Sequence, residues 1–340
     1  MPSHETEMPV PSSYTRIIAR ELGLQERELG QLLLGTGLPV KILVSETESH
    51  ITTAQQMQIL DNARHMLGAP DFGLRLGRRM QPSTHGPMGY LVLSSPDVLT
   101  ALESFADFLP VRLPFSRVNV SVDGNWLNCS LAMKMDANPA VRRVLQECFA
   151  LMIQSVVESV LGRELQEARI ELAHERPEYH AQYDSYLHSP VYFAHASSVF
   201  RIPAQLARFS NAAGHSASYA LALELCKGLL EQMPATDLSN ADRVRRLLLS
   251  APAGTRGAED VARAMFVTKR TLQRRLEREG TSYREITEKL YSELAVRHLR
   301  ETGHTIESVA VLLGYYDTAA FRKAFHRWYG QSPGEYRRGL

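Results

Sequence analysis

The sequence predicts an α+β N-terminal part followed by an all-α C-terminal domain, and three observations carry that reading. The first is an internal repeat: residues 258–267 and 306–315 align at an offset of 48, setting Glu259 on Glu307, Val261 on Val309, Ala262 on Ala310 and Met265 on Leu313. The second is charge. Residues 241–340 hold 19 lysines and arginines against 12 acidic residues, a net +7, whereas the first 240 hold 19 against 25, a net −6. A local basic excess is the footprint of a surface that meets a polyanion. The third is a hairpin signal in the acidic half, where Val118–Val122 and Trp126–Met133 alternate in polarity around Asp123-Gly124-Asn125.

Taken in order, residues 1–14 read as a flexible N-terminus. No run of about 18 apolar residues stands out, and Glu5 and Glu7 interrupt the first eleven residues. Neither a membrane span nor a signal peptide is expected, and the expected location is the cytoplasm. Residues 15–207 form the larger domain. Within it Val141–Leu161 is apolar at helical spacing for about five turns. Cys129, Cys148 and Cys226 are widely spaced with no CxxC, so they read as small buried hydrophobes and not as a disulfide framework or zinc site. His85, His174, His180, His188 and His195 lack the spacing of a metal site. Gly86-Pro87-Met88-Gly89 lacks the glycine spacing of a phosphate cradle and reads as a structural turn. No catalytic Ser, His and Asp set is identifiable by motif, so no enzyme activity, cofactor or metal is expected. Residues 208–239 read as a helix and a linker, the linker being 232–239 with Pro234.

Residues 240–340 are patterned almost wholly as helix. Val244, Leu247 and Leu248 mark the apolar face of a first helix that Ala251-Pro252-Ala253-Gly254 ends. After one extra residue, Tyr316, the repeat offset becomes 49 and places Leu272 over Phe321, Arg274 over Lys323 and Leu276 over Phe325. These are the requirements of a helix-turn-helix, built twice, at residues 258–279 and 306–328. Two steeply crossing helices need a small residue at their approach, Ala262 or Ala310, and apolar anchors one turn apart on the second helix. The face opposite those anchors is left for DNA. In the first unit it offers Lys269, Arg270, Gln273 and Arg274; in the second, Thr318, Arg322 and Lys323, a thinner set expected to read fewer bases. Arginine bonds a guanine edge bidentately and glutamine an adenine edge, the chemistry of major-groove reading. Gly280 fits a left-handed cap, and Ser282-Tyr283-Arg284-Glu285 a capping box opening a helix to about Glu301, ahead of Gly303. At 1.5 Å per residue that rod spans roughly 28 Å, near the 34 Å of one DNA turn.

The order of these features resembles the DNA-binding domain of the AraC/XylS family. The match runs through Glu259–Arg263, Thr271–Leu276, Gly280–Tyr283, Ile306–Gly314, Phe321–Phe325 and Ser332–Arg337. The resemblance implies base reading from Arg270, Arg274 and Lys323. Phe266 departs from the pattern, since that turn position usually takes glycine or a small polar residue, as Gly314 does in the second unit. The N-terminal half is similar to the ligand-binding domain of the ornithine-utilisation-regulator branch, through Asp71–Gly77, Gly86–Pro96 and Phe200–Pro203. What this implies is a regulator bound to double-stranded promoter DNA, by family habit an activator working with RNA polymerase. A small-molecule effector, of unfixed identity, would act through residues 15–207, which are also the expected homodimer surface. The alternative reading is an architectural or constitutive DNA binder with no ligand.

Overall fold

The computed structural model describes residues 8–44, 49–232, 239–249, 257–265, 267–301 and 305–338. They form two compact units, Met1–Gln232 and Met233–Leu340.

In the first unit, β1 (Pro9–Pro11) leads into α1 (Ser13–Glu21), the short α2 (Leu29–Leu32) and α3 (Lys41–Val44), β2 (His50–Thr52), α4 (Thr53–Leu67), α5 (Phe72–Arg79), α6 (Pro87–Leu93) and α7 (Val98–Arg112). The stretch 1–14, expected to be flexible, is structured from residue 8 on. Its β1 pairs antiparallel with β2, and Val10 and Tyr14 are buried; residues 1–7 lie outside the described residues. The apolar side chains Val10, Tyr14 and Ile18 explain this, because their burial outweighs the polar character of the preceding residues.

The hairpin falls where the alternation placed it. β3 (Ser116–Asp123) and β4 (Trp126–Met133) close on the pair Asp123 and Trp126, leaving a two-residue loop in which Gly124 takes φ +55°. With β5 (Arg169–Glu171), β6 (Val191–Tyr192) and β7 (Val199–Pro203) they make a five-stranded sheet of order β3-β4-β7-β5-β6. Between β4 and β5 runs α8 (Pro139–Leu161), capped by Asn138 Oδ1 accepting from Val141 N at 2.8 Å. By length and composition α8 is apolar enough to cross a membrane, although polar and charged residues such as Gln146, Glu147 and Gln154 interrupt it and it holds no unbroken apolar run of that length. Its most apolar window is nevertheless mostly buried in the first unit, as befits a core helix. The Asp71–Gly77 motif now has a physical reason. A Cβ on Gly73 would fall onto Glu147 Oε2 and lie 2.8 Å from Val144 Cα, and one on Gly77 would lie 2.6 Å from Leu151 Cδ1, so α5 can touch α8 only as glycine. Gly89 serves likewise, since its Cβ would fall onto the Pro82 carbonyl.

The last helix of this unit, α9 (Ser216–Gln232), packs on α6 and α7, with Tyr219 Oη 3.2 Å from Ser104 Oγ. The helix expected within 208–239 therefore belongs to the first compact unit; residues 233–238 of the expected linker lie outside the described residues.

The second unit contains α10 (Asn240–Leu249), α11 (Ala258–Ala264), α12 (Lys269–Arg278), α13 (Tyr283–Glu301), α14 (Ile306–Leu312), α15 (Thr318–Tyr329) and α16 (Pro333–Arg338). It has two cores. Val244, Leu248, Val261, Ala262, Leu272, Leu276 and Leu290 build one; Ala295, Leu299, Val309, Ala310, Phe321, Phe325 and Tyr336 build the other. Helix α13 supplies a face to each, which makes it the rod shared by the two halves. Glu279, just after α12, caps α10 by accepting from Asn240 N and Ala241 N at 3.0 and 2.9 Å. The expected helix ends at 251–254 and at Gly303 lie outside the described residues.

Candidate nucleic-acid interface

The repeat seen in the sequence is a repeat of hydrogen bonds. In the first unit Met265 N bonds Val261 O and Val267 N bonds Ala262 O, each at 3.0 Å; in the second, Leu313 N bonds Val309 O and Tyr315 N bonds Ala310 O, again at 3.0 Å. The next helix is then capped by residues matched at the offset of 49. Thr268 Oγ1 accepts from Thr271 N at 3.1 Å, and Asp317 Oδ1 from Ala320 N at 2.6 Å. Gly314 closes the second turn at φ +73°, a conformation that glycine adopts without penalty. The corresponding Phe266 lies outside the described residues.

Leu272 and Leu276 are buried on one face of α12, and Phe321 and Phe325 on one face of α15. Lys269, Arg270, Gln273 and Arg274 are all exposed. Of these, Lys269, Arg270 and Arg274 have no hydrogen-bond or ion-pair partner among the described residues, while Gln273 Nε2 donates to Glu277 Oε1 at 2.9 Å. A lone guanidinium in water carries no internal bond that must be broken before it meets a phosphate or a base edge. On α15 the arrangement differs. Thr318 is half-buried at the first helical position, Lys323 is exposed, and the exposed Arg322 reaches Glu307 Oε1 with Nη2 at 3.4 Å. The structure thus brings the seven residues onto the two second helices, four on one and three on the other.

Gly280 adopts φ +72°, and Ser282 Oγ accepts from Glu285 N at 3.2 Å, half of the expected capping box. The Glu285 carboxylate receives Thr281 Oγ1 at 3.3 Å. Sequence reasoning passed over Tyr316, which is 100% exposed beside Val311 at 75%. Its signal was the extra residue that shifts the repeat offset.

The N-terminal unit holds its polar chemistry inside. Glu147 is buried, and its Oε1 accepts from Tyr179 Oη at 2.6 Å and Tyr183 Oη at 2.5 Å, yet burial pushes its carboxyl up to about 7. His85 sits 2.8 Å from Tyr14 Oη through Nδ1; burial first, and the Arg112 charge second, lower its pKa to about 4 and keep it neutral. His188 Nδ1 lies 2.6 Å from Glu158 Oε1 and His195 Nδ1 3.8 Å from Glu171 Oε2. All three cysteines are buried thiols outside any disulfide, and burial pushes the Cys148 thiol up. Arg201, in the Phe200–Pro203 motif, donates to Glu171 Oε1 at 3.0 Å and to Asn128 Oδ1 at 3.1 Å, which ties three strands of the sheet together.

Two family models match this chain. Residues 27–210 match the arabinose-binding N-terminal domain of the AraC transcription regulator, and residues 261–339 match a helix-turn-helix domain. Among curated proteins, the ornithine utilization regulator of Pseudomonas aeruginosa is 27% identical over 280 residues, 82% of either chain. The HTH-type transcriptional regulator VirS of Mycobacterium tuberculosis is 27% identical over 299 residues, 86% of either chain. Among solved structures, the transcriptional regulator CdpR of Pseudomonas aeruginosa matches with 28% identity and a TM-score of 0.48, covering 95% of this chain and 98% of its own.

Proposed function

The chain belongs to the AraC family of DNA-binding transcription regulators, and we propose that it is a sequence-specific activator whose promoter binding or activation is set by a small-molecule effector in the N-terminal unit. Lys269, Arg270, Gln273 and Arg274 read bases in one major groove, and Thr318, Arg322 and Lys323 make the sparser second contact. The observation that carries this is the exposed, internally unpartnered cation set on α12, opposite the buried Leu272 and Leu276. RNA polymerase is the partner an activator needs.

A homodimer fits the N-terminal unit. On α9, Leu221, Leu225 and Leu229 are exposed at 61%, 52% and 36%, one turn apart, while Ala222, Cys226 and Leu230 of the same helix are buried. A strip of this kind suits pairing with its own copy in a two-fold interface. The relatives carry arabinose or ornithine in their descriptions, which supports effector control in this chain and leaves its ligand to be identified.

The test is a mobility-shift titration on the chain's own promoter. Arg274→Ala is expected to weaken binding by about 1–3 kcal/mol and to relax discrimination at one base position. Unchanged affinity across all base substitutions would remove Arg274 from the reading surface.

A further inference from the structure

The N-terminal unit contains a cavity among α1, α4, α5, α7, α8 and the β3-β4 hairpin. The space between atoms there amounts to about 600 Å³, with the part open to solvent included. Its depth is formed by buried Ile18, Leu60, Leu76, Phe149 and Met152. Its rim carries the half-buried Leu113, Leu131, Met133 and Leu145. No aspartate, glutamate, lysine, arginine or histidine is part of the wall.

The few polar side chains of the wall are already committed. Tyr14 Oη is engaged with His85 Nδ1 at 2.8 Å, Ser116 Oγ donates to Leu113 O at 2.8 Å, and Cys148 Sγ to Gly73 O at 3.5 Å. Gln56, 3% exposed, accepts through Oε1 from Thr15 Oγ1 at 3.1 Å; its amide NH2 has no partner among the described residues. None of these groups presents polar surface to the cavity, so its lining is apolar. A sugar would bury several hydroxyls there without partners, and a free amino acid would bury two charges; each such group costs about 1–3 kcal/mol or more. The wall is mostly aliphatic. Met80, Met133 and Met152 are unbranched and can follow the contour of a flexible chain.

We propose that this cavity binds an uncharged aliphatic acyl chain, with the polar end of the ligand left at the solvent-open rim. The inference rests on reading the N-terminal unit as the effector-binding part, and it gives that effector a chemical class that neither arabinose nor ornithine fits.

The experiment is calorimetric titration of the full chain with octanamide, octanoate, L-arabinose and L-ornithine, without DNA, alongside Leu131→Trp and Leu145→Trp variants. Octanamide is expected to bind saturably at one site and raise the melting temperature, with ionised octanoate weaker and the sugar and amino acid silent. Leu131→Trp fills the rim at a half-buried position and is expected to lower octanamide affinity more than tenfold. Leu145→Trp fills the rim from α8, also at a half-buried position, and is expected to lower it likewise. The proposal is overturned if octanamide fails to saturate the wild-type chain, if both variants bind it as the wild type does, or if arabinose or ornithine binds in a way that Leu131→Trp abolishes. A mobility shift with and without octanamide separates the two readings. Binding without any change in promoter affinity or transcription removes effector control and leaves the cavity assignment standing, whereas a promoter response to arabinose or ornithine alone does the reverse.

Discussion

The N-terminal unit keeps its chemically unusual groups inside, with Glu147, His85 and Gln56 all buried, while the C-terminal unit sets Lys269, Arg270 and Arg274 out in water. The two arrangements suit what each unit is proposed to meet. A DNA duplex is too large to enter a protein, so its reader must stand on a surface and tolerate full hydration before binding. A small apolar ligand gains by leaving water, so its site is a gap in a core. Each design fails differently when mutated: damage inside is paid in folding, damage outside in binding.

The sharpest way to break that contrast is through glycine. Gly73→Ala puts a methyl against Glu147 and the α8 backbone, and is expected to destabilise the N-terminal unit by about 3 kcal/mol, the upper end of overpacking costs. Gly280→Ala, in the other unit, meets open space but keeps φ +72°, at a cost of about 1–2 kcal/mol. Trp126 reports the first unit and Trp328 the second, so urea unfolding of single-tryptophan variants resolves the two. Equal midpoint shifts from both substitutions would show that the α5-α8 approach is looser than its geometry indicates.

Glu147 adds a dependence on pH. Its folded pKa, near 7, lies above the ordinary 4.5, so the folded state holds the proton more tightly than the unfolded chain. That contribution is complete below pH 4.5 and is lost as pH rises through 7, amounting to about 3 kcal/mol. His85, held near 4, works in the opposite sense, costing stability as pH falls from 6.5 toward 4. Subtracting the Glu147→Gln profile from wild type isolates the carboxyl. A flat difference between pH 5 and 8, read from Trp126, would mean that Glu147 is ionised throughout.

These examples also explain what was legible in the sequence. The helices and buried anchors of the C-terminal unit were legible because their pattern is local: Ala262, Leu272 and Leu276 recur as Ala310, Phe321 and Phe325. The β3-β4 hairpin was legible for the same reason, since Gly124 sits between two alternating runs. The cavity was not. Its leucines and methionines are the residue types of any core, and it exists only where α1, α4, α5, α7 and α8 converge from positions scattered between Tyr14 and Met152. Glu147 drew no reading from the sequence, and the packing of Gly73 against it shows its burial. Residues 8–14 were misread because β1 depends on a partner strand some 40 residues away.

Within the exposed surface the two helix-turn-helix units differ in readiness. Arg274 is unpartnered among the described residues, whereas Arg322 is tied to Glu307. Arg322→Ala is therefore expected to cost less than Arg274→Ala, below about 1 kcal/mol, because the wild-type side chain gives up a surface ion pair on binding. Parallel mobility-shift titrations check this, and an Arg322→Ala loss equal to that of Arg274→Ala would make the second unit as strong a reader as the first.

The smallest effect isolates the tether itself. Glu307→Gln frees Arg322 and removes a negative charge near the phosphates, so promoter binding is expected to tighten, by no more than about 1 kcal/mol. If the freed guanidinium takes up a phosphate, one further counterion is released, and the slope of log affinity against log salt steepens by about 0.9. If it instead reaches a base edge, the slope stays unchanged while discrimination at one position sharpens. Glu307 also lies in the first turn of α14, so the substitution removes a favourable helix-dipole contact worth a few tenths of a kcal/mol. Binding therefore has to be compared at a temperature where both proteins are fully folded. Weaker binding under those conditions would mean that Glu307 holds Arg322 in its reading position.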